Sequence, residues 1–98
     1  MIDREYIIRL FDLYNSFLTD KQSDYFKSYY FEDLSLNEIA ENNGVSKAMA
    51  GKTIKTAEEK LIEIENKLEL TKIYDKIGEV ILLEKDEKIK NILKDIVK

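Results

Sequence analysis

Cysteine, histidine and proline are absent from this 98-residue chain, and glycine occurs only three times. Without cysteine there is no disulfide and no thiol nucleophile. Without histidine the usual neutral-pH base is missing, together with a common zinc ligand. Redox, thiol and the common metal chemistries are thereby excluded. The absence of proline, with 37% charged residues, fits a helix-rich and well-solvated chain. Long apolar runs are missing too: the longest, Val80 to Leu83, is far too short to span a bilayer. The opening MIDREYII is charged and lacks the apolar core and cleavage site of a signal peptide. These absences predict a cytoplasmic protein with no membrane insertion, long enough to bury a modest core as one domain.

What is present is mostly charge, and its placement matters more than its sum. The net charge of −4 argues against a generally adhesive nucleic-acid binder, so any DNA contact must come from a local patch. Residues 1–34 carry seven acids against four bases, whereas residues 35–60 carry four of each. Within that middle segment Glu38 and Glu41 precede a turn, and Lys47, Lys52 and Lys55 follow it with no acid among them. The basic character sits on one predicted helix.

Apolar spacing predicts the helices. Tyr6, Leu10, Leu13 and Phe17, widened by Ile7, Phe11, Tyr14 and Leu18, give a first helix with a core-facing stripe. Thr19 to Gln22 has the form of a capping box and predicts a second helix carrying Tyr25, Phe26, Tyr29 and Tyr30. Ser35 to Glu38 is another such box, opening a short third helix that Asn42-Asn43-Gly44 should stop. Val45 then reads as a buried plug, and Ser46 as the cap of a fourth helix with apolar positions Ala50, Ile54, Ala57, Leu61, Ile64 and Leu68. That seam is longer than a DNA-reading helix requires and implies a partner helix.

After Leu70 the phase of the seam changes to Ile73, Ile77 and Ile81, which places a break near Thr71. A last helix bears Ile89, Ile92, Leu93 and Ile96. Val80 to Leu83 alone would suit a short strand, but no second strand candidate exists to pair with it. The fold class is therefore all-α: a small helical bundle with a helix-turn-helix domain over residues 1–70. Residues 71–98 form a helical extension, packed on the same core or on a partner subunit.

A helix-turn-helix needs a small residue where its helices cross, a residue tolerant of positive φ in the turn, and apolar anchors on both helices. Ala40, Gly44 and the set Ile39, Val45, Ala50 and Ile54 supply them. With Ala50 and Ile54 inward, the candidate DNA-facing residues are Ser46, Lys47, Ala48, Gly51, Lys52 and Lys55. The lysines suit phosphates and Ala48 suits a thymine methyl, whereas Gly51 offers no hydrogen bond to a base edge. An ordinary solvated lysine face is the competing reading.

Leu10 to Tyr14, Leu18 to Gln22, Tyr29 to Glu41 and Gly44 to Ser46 together resemble the YlxM family of small bacterial proteins, which are similar to region four of sigma factors. The resemblance covers residues 5–70. It implies an all-helical, sigma region four-like helix-turn-helix regulator, associated through gene neighbourhood with the signal recognition particle. Duplex DNA is the implied partner, with protein or RNA components of that particle as alternatives; independently of the resemblance, the seam after Ala57 leads to the expectation of a homodimer, since two copies would double the phosphate contacts. Where family members tend to read VSRQAVYDNIKR, this chain has Val45 to Thr56 as VSKAMAGKTIKT. The scaffold matches while the reading face is blunted: Lys47 keeps charge without the planar fork of arginine, and Ala48 and Gly51 stand at the Gln and Tyr positions.

Other constellations read as structure. The aromatic group Tyr25, Phe26, Tyr29, Tyr30 and Phe31 has core spacing, with only Lys27 interleaved, rather than the make-up of a base-stacking platform. The pairs Glu58-Glu59 and Asp86-Glu87 adjoin lysines and read as solvated helix faces. No phosphate loop, nucleophile elbow or metal-ligand spacing occurs, so neither a catalytic role, a metal nor a cofactor is expected.

Overall fold

The computed structural model describes residues 2–97 and divides the chain into two units, Met1–Lys67 and Leu68–Lys98. Among the described residues there are six α-helices and no strand. None of these helices is long and apolar enough to cross a membrane.

In the first unit each helix starts where a short polar side chain takes up an otherwise unpaired amide. Asp3 accepts from the Glu5 N–H at 3.1 Å and opens α1 (Arg4–Tyr14). Asn15 closes that helix by donating from Nδ2 to the carbonyls of Phe11 (2.9 Å) and Asp12 (3.3 Å), and a 3-10 turn, Asn15–Phe17, follows. Thr19 and Gln22 form the reciprocal box that starts α2 (Asp20–Tyr30), with bonds of 3.1 and 2.9 Å. The helices α3 (Leu36–Asn43) and α4 (Lys47–Leu68) complete the unit.

The core is where these helices bring their apolar stripes together. From α1 the buried residues are Ile7, Leu10, Phe11 and Tyr14. Tyr6 and Phe17, expected on the main stripe, are instead 40% and 53% exposed. Two overlapping helical stripes were available on this segment, and termination of α1 at Tyr14 turns Phe17 away on a different rise. The aromatic cluster divides: Tyr25, Phe26 and Tyr30 are buried, while Tyr29 and Phe31 stay at the surface. Phe26 is its centre, stacked against Phe11 and Tyr30 with ring centroids 4.4 Å away in each case.

The long seam of α4 finds its partner within the chain. Ala50, Ile54, Ala57 and Leu61 are buried, followed by Glu65 rather than Ile64 or Leu68. Leu68 is 47% exposed. Glu65 is accommodated because the Tyr14 hydroxyl donates to its carboxyl oxygen at 2.6 Å, joining α1 to α4. A buried hydrogen bond to an acidic group is worth roughly 1.5–3 kcal/mol, more than an exposed one. Tyr14→Phe is therefore expected to lower unfolding free energy by about 1–3 kcal/mol in urea melts. A double-mutant cycle with Glu65→Gln should show non-additive losses.

The second unit is a helical pair, α5 (Leu70–Leu83) and α6 (Glu87–Ile96). The break falls at Glu69, which adopts φ 54° and ψ 35°, two residues before the expected position. A left-handed non-glycine residue leaves no glycine or asparagine in the sequence to mark it. Asp86 caps α6, accepting from the Lys88 and Ile89 amides at 2.9 and 3.4 Å. No apolar side chain of α5 or α6 is buried; among the described residues of this unit only Thr71 is.

Candidate nucleic-acid interface

The turn between α3 and α4 follows from backbone chemistry. Gly44 sits at φ 64° and ψ 34°, the left-handed region that glycine enters without a Cβ penalty. There its N–H reaches the Glu41 carbonyl at 3.3 Å, and the Val45 N–H reaches the Ala40 carbonyl at 3.0 Å. This pair of bonds is a Schellman closure, and it satisfies carbonyls that the helix end would otherwise leave open. Asn43 adds a bond from Nδ2 to the Ile39 carbonyl at 2.7 Å. Ile39, Ala40, Ala50 and Ile54 are buried, as the motif requires, whereas Val45 is only half-buried.

The start of α3 carries a charge as well as a cap. Ser35 accepts from the Glu38 N–H through its hydroxyl at 3.1 Å, and its own N–H donates to the Glu38 carboxylate at 3.0 Å. The bond from the Ser35 backbone, followed by the Ser35 side chain, holds the Glu38 carboxyl below its ordinary value of 4.5. A depressed carboxylate stabilises the fold above the unfolded-state value, and that contribution is lost as pH falls through the folded one. Ser35→Ala removes the hydroxyl but leaves the backbone donor. Carboxylate titration followed by NMR should move Glu38 only part of the way back towards 4.5. The lost serine cap should cost about 1 kcal/mol of fold stability.

Ser46 begins α4 by accepting from the Met49 N–H at 3.1 Å. Lys47, Ala48, Lys52 and Lys55 are exposed, as is Ser46 itself. Gly51 stands at the edge of this face rather than on it. It is half-buried, and a Cβ built there would lie 3.6 Å from Leu36 Cδ1, pointing towards α3. The glycine thus marks a close helix contact, without being needed to relieve a clash. Among the described residues Lys47, Lys52 and Lys55 make no ion pair and no side-chain hydrogen bond. The basic surface is bounded: Glu59 follows Lys55 by one turn on the same face, and Glu63 beyond it pairs with Lys67 at 3.2 Å.

Tertiary structure adds a residue that sequence reasoning passed over. The first turn of α2 lies beside α4, and a shallow hollow of about 220 Å³ is lined by Thr19 and Lys21 on one side and Lys52 and Thr56 on the other. Lys21 holds its ammonium 5.7 Å from the centroid of the Tyr25 ring and makes no ion pair among the described residues. The only signal in the sequence was a lysine inside the capping segment that precedes the motif.

A second hollow, near Arg4, Tyr30 and Glu58, is closed upon itself chemically. Arg4 donates to the Tyr30 carbonyl and to Asp33 at 3.2 Å, and the Tyr30 hydroxyl donates to Glu58. Burial, then the bond to Glu58, raises the Tyr30 hydroxyl above its ordinary value of 10.0, so it stays protonated at neutral pH. This network ties the start of α1 and the end of α2 to the middle of α4.

The family model described as "Putative helix-turn-helix protein, YlxM / p13 like" matches residues 1–98. A UPF0122 protein of Ureaplasma urealyticum serovar 10 is 37% identical over 93 residues, covering 95% of this chain and 94% of the relative. A UPF0122 protein of Halalkalibacterium halodurans is 44% identical over 72 residues, covering 74% and 66%. One of Bacillus mycoides is 39% identical over 93 residues, covering 90% and 84%. A match along the whole chain, together with the Schellman-closed turn and its two capped helices, leads to one conclusion: the chain belongs to the UPF0122 family of YlxM/p13-like helix-turn-helix proteins.

Proposed function

We propose that this protein is a DNA-binding regulator that lays the N-terminal half of α4 along a duplex, with Lys47, Lys52 and Lys55 on phosphates. The observation that carries this reading is that all three ammonium groups stand exposed and unengaged on one bounded face, with Lys21 across a shallow hollow from Lys52. Lysine is a point charge suited to phosphates, whereas base discrimination draws on the planar groups of Arg, Asn and Gln. None of those stands between Ser46 and Lys55. Ala48 is left to touch a thymine methyl, so the expected behaviour is charge-driven binding with little sequence preference.

The test is a side-by-side titration of the full chain against duplex DNA, a structured RNA of the signal recognition particle and that particle's GTPase. Duplex binding at low salt that weakens when the lysines are changed to glutamate supports the reading. Undetectable duplex binding, or binding indifferent to those changes, overturns it. Tighter capture of RNA or of the GTPase would reassign the same fold to an accessory role in protein targeting.

A further inference from the structure

The C-terminal helix α6 is amphipathic, and on its apolar side Ile89, Ile92 and Ile96 are exposed while Leu93 is half-buried. Ile89, Ile92 and Ile96 are 43%, 61% and 54% exposed, at the three- and four-residue spacing of a helix-pairing seam. On one flank of that seam stand Lys88 and Asp95, seven residues apart and astride Ile92. Neither makes an ion pair among the described residues. On the opposite flank Leu93 is half-buried, and further round the helix Lys90 pairs with Glu87 at 3.8 Å.

We propose that this face is where a second copy of the chain docks, α6 against α6, antiparallel about a two-fold axis near Ile92. In an antiparallel helix pair, flanking residues of one kind meet the same kind on the partner. A two-fold axis near Ile92 sets Lys88 of each copy against Asp95 of the other, so the seam is self-complementary in charge as a symmetric interface must be. Parallel pairing would set Lys88 against the partner's Leu93 and give neither charge an opposite partner. Residues 68–98 carry seven acids and seven bases, so no net charge of the unit opposes the approach of its twin or calls for a strongly charged foreign partner.

The size of the surface sets the strength. One short stripe is less than the ~800 Å² per partner of a standard interface. Leu82 and Leu83, 86% and 81% exposed at the end of α5 that leads into α6, supply further apolar area. Association on the order of micromolar is expected from a surface of this kind.

Sedimentation of the full chain across that concentration range should move from 11.5 kDa towards twice that mass. Ile92→Glu should leave it monomeric throughout. Lys88→Glu and Asp95→Lys should each raise the dissociation constant by about tenfold, and the two together should restore it. All three side chains are exposed, so the circular dichroism spectrum should not change. A wild-type chain that stays monomeric overturns the proposal, as does a dimer unmoved by Ile92→Glu. A combined swap no tighter than either single one overturns the antiparallel geometry on which the proposal is built.

Discussion

Replacing Phe26 with alanine is expected to cost about 3–5 kcal/mol, the range for deleting a large aromatic side chain from a packed core. Phe26 is fully buried, stacks on Phe11 at an interplanar angle of 3°, and makes a further edge contact with Phe31 at 6.2 Å. Its removal takes away two stacked partners at once and leaves a void that rigid helices close only in part. Folded domains hold roughly 0.05–0.15 kcal/mol per residue, so a unit of this size has little beyond that loss to spare. Urea denaturation of Phe26→Ala should therefore show a transition starting at or near zero denaturant. Phe26→Leu, which keeps most of the volume, should retain a clear folded baseline. Equal midpoints for the two variants would mean that ring stacking at Phe26 does not hold the bundle together.

The parts of this fold that are written locally were legible in the sequence. Thr19–Gln22 and Ser35–Glu38 each place an oxygen and an amide three residues apart, which is all a capping box needs. Gly44 and Ser46 likewise announce the turn between α3 and α4, because left-handed backbone and a free helix amide each select few residue types. Choices that depend on distant partners were not legible. Glu65 occupies a seam position normally given to an apolar side chain, and only its bond to Tyr14, 51 residues away, explains it. Ile64, the natural choice by composition, is half-buried instead. On α1 both available stripes had helical spacing, and packing decided between them.

The candidate interface divides along the same line. Lys47, Lys52 and Lys55 were found because they share one helix and lie within a few residues of one another. Lys21 was missed because it belongs to another helix, and nothing in its own neighbourhood points to Lys52. Gly51 was placed on the outer face by periodicity alone, whereas its contact with Leu36 turns it towards α3. The seam of α4 that implied a partner helix is buried in the chain's own core as far as Leu61, and beyond it Ile64 is half-buried and Leu68 exposed. On α6, by contrast, Ile89, Ile92 and Ile96 stay exposed.

The salt dependence of duplex binding should separate one bound copy from two. Each phosphate neutralised contributes about −0.9 to the slope of log affinity against log salt. Four contacts through Lys21, Lys47, Lys52 and Lys55 give a slope near −3.6, or roughly a 150-fold loss between 50 and 200 mM salt. Changing Lys52 and Lys55 together to alanine should reduce the slope to about −1.8 and the same loss to roughly 12-fold. Changing Lys21 alone should lower the slope by about one, and no change there would remove α2 from the interface. A symmetric pair of copies doubles the contacts, so a wild-type slope near −7 is expected if two chains bind together. Ile92→Glu, which touches no lysine of α4, should then halve that slope while leaving the single-copy contribution intact. A slope that stays near zero in the wild-type chain would rule out phosphate contact by these lysines altogether.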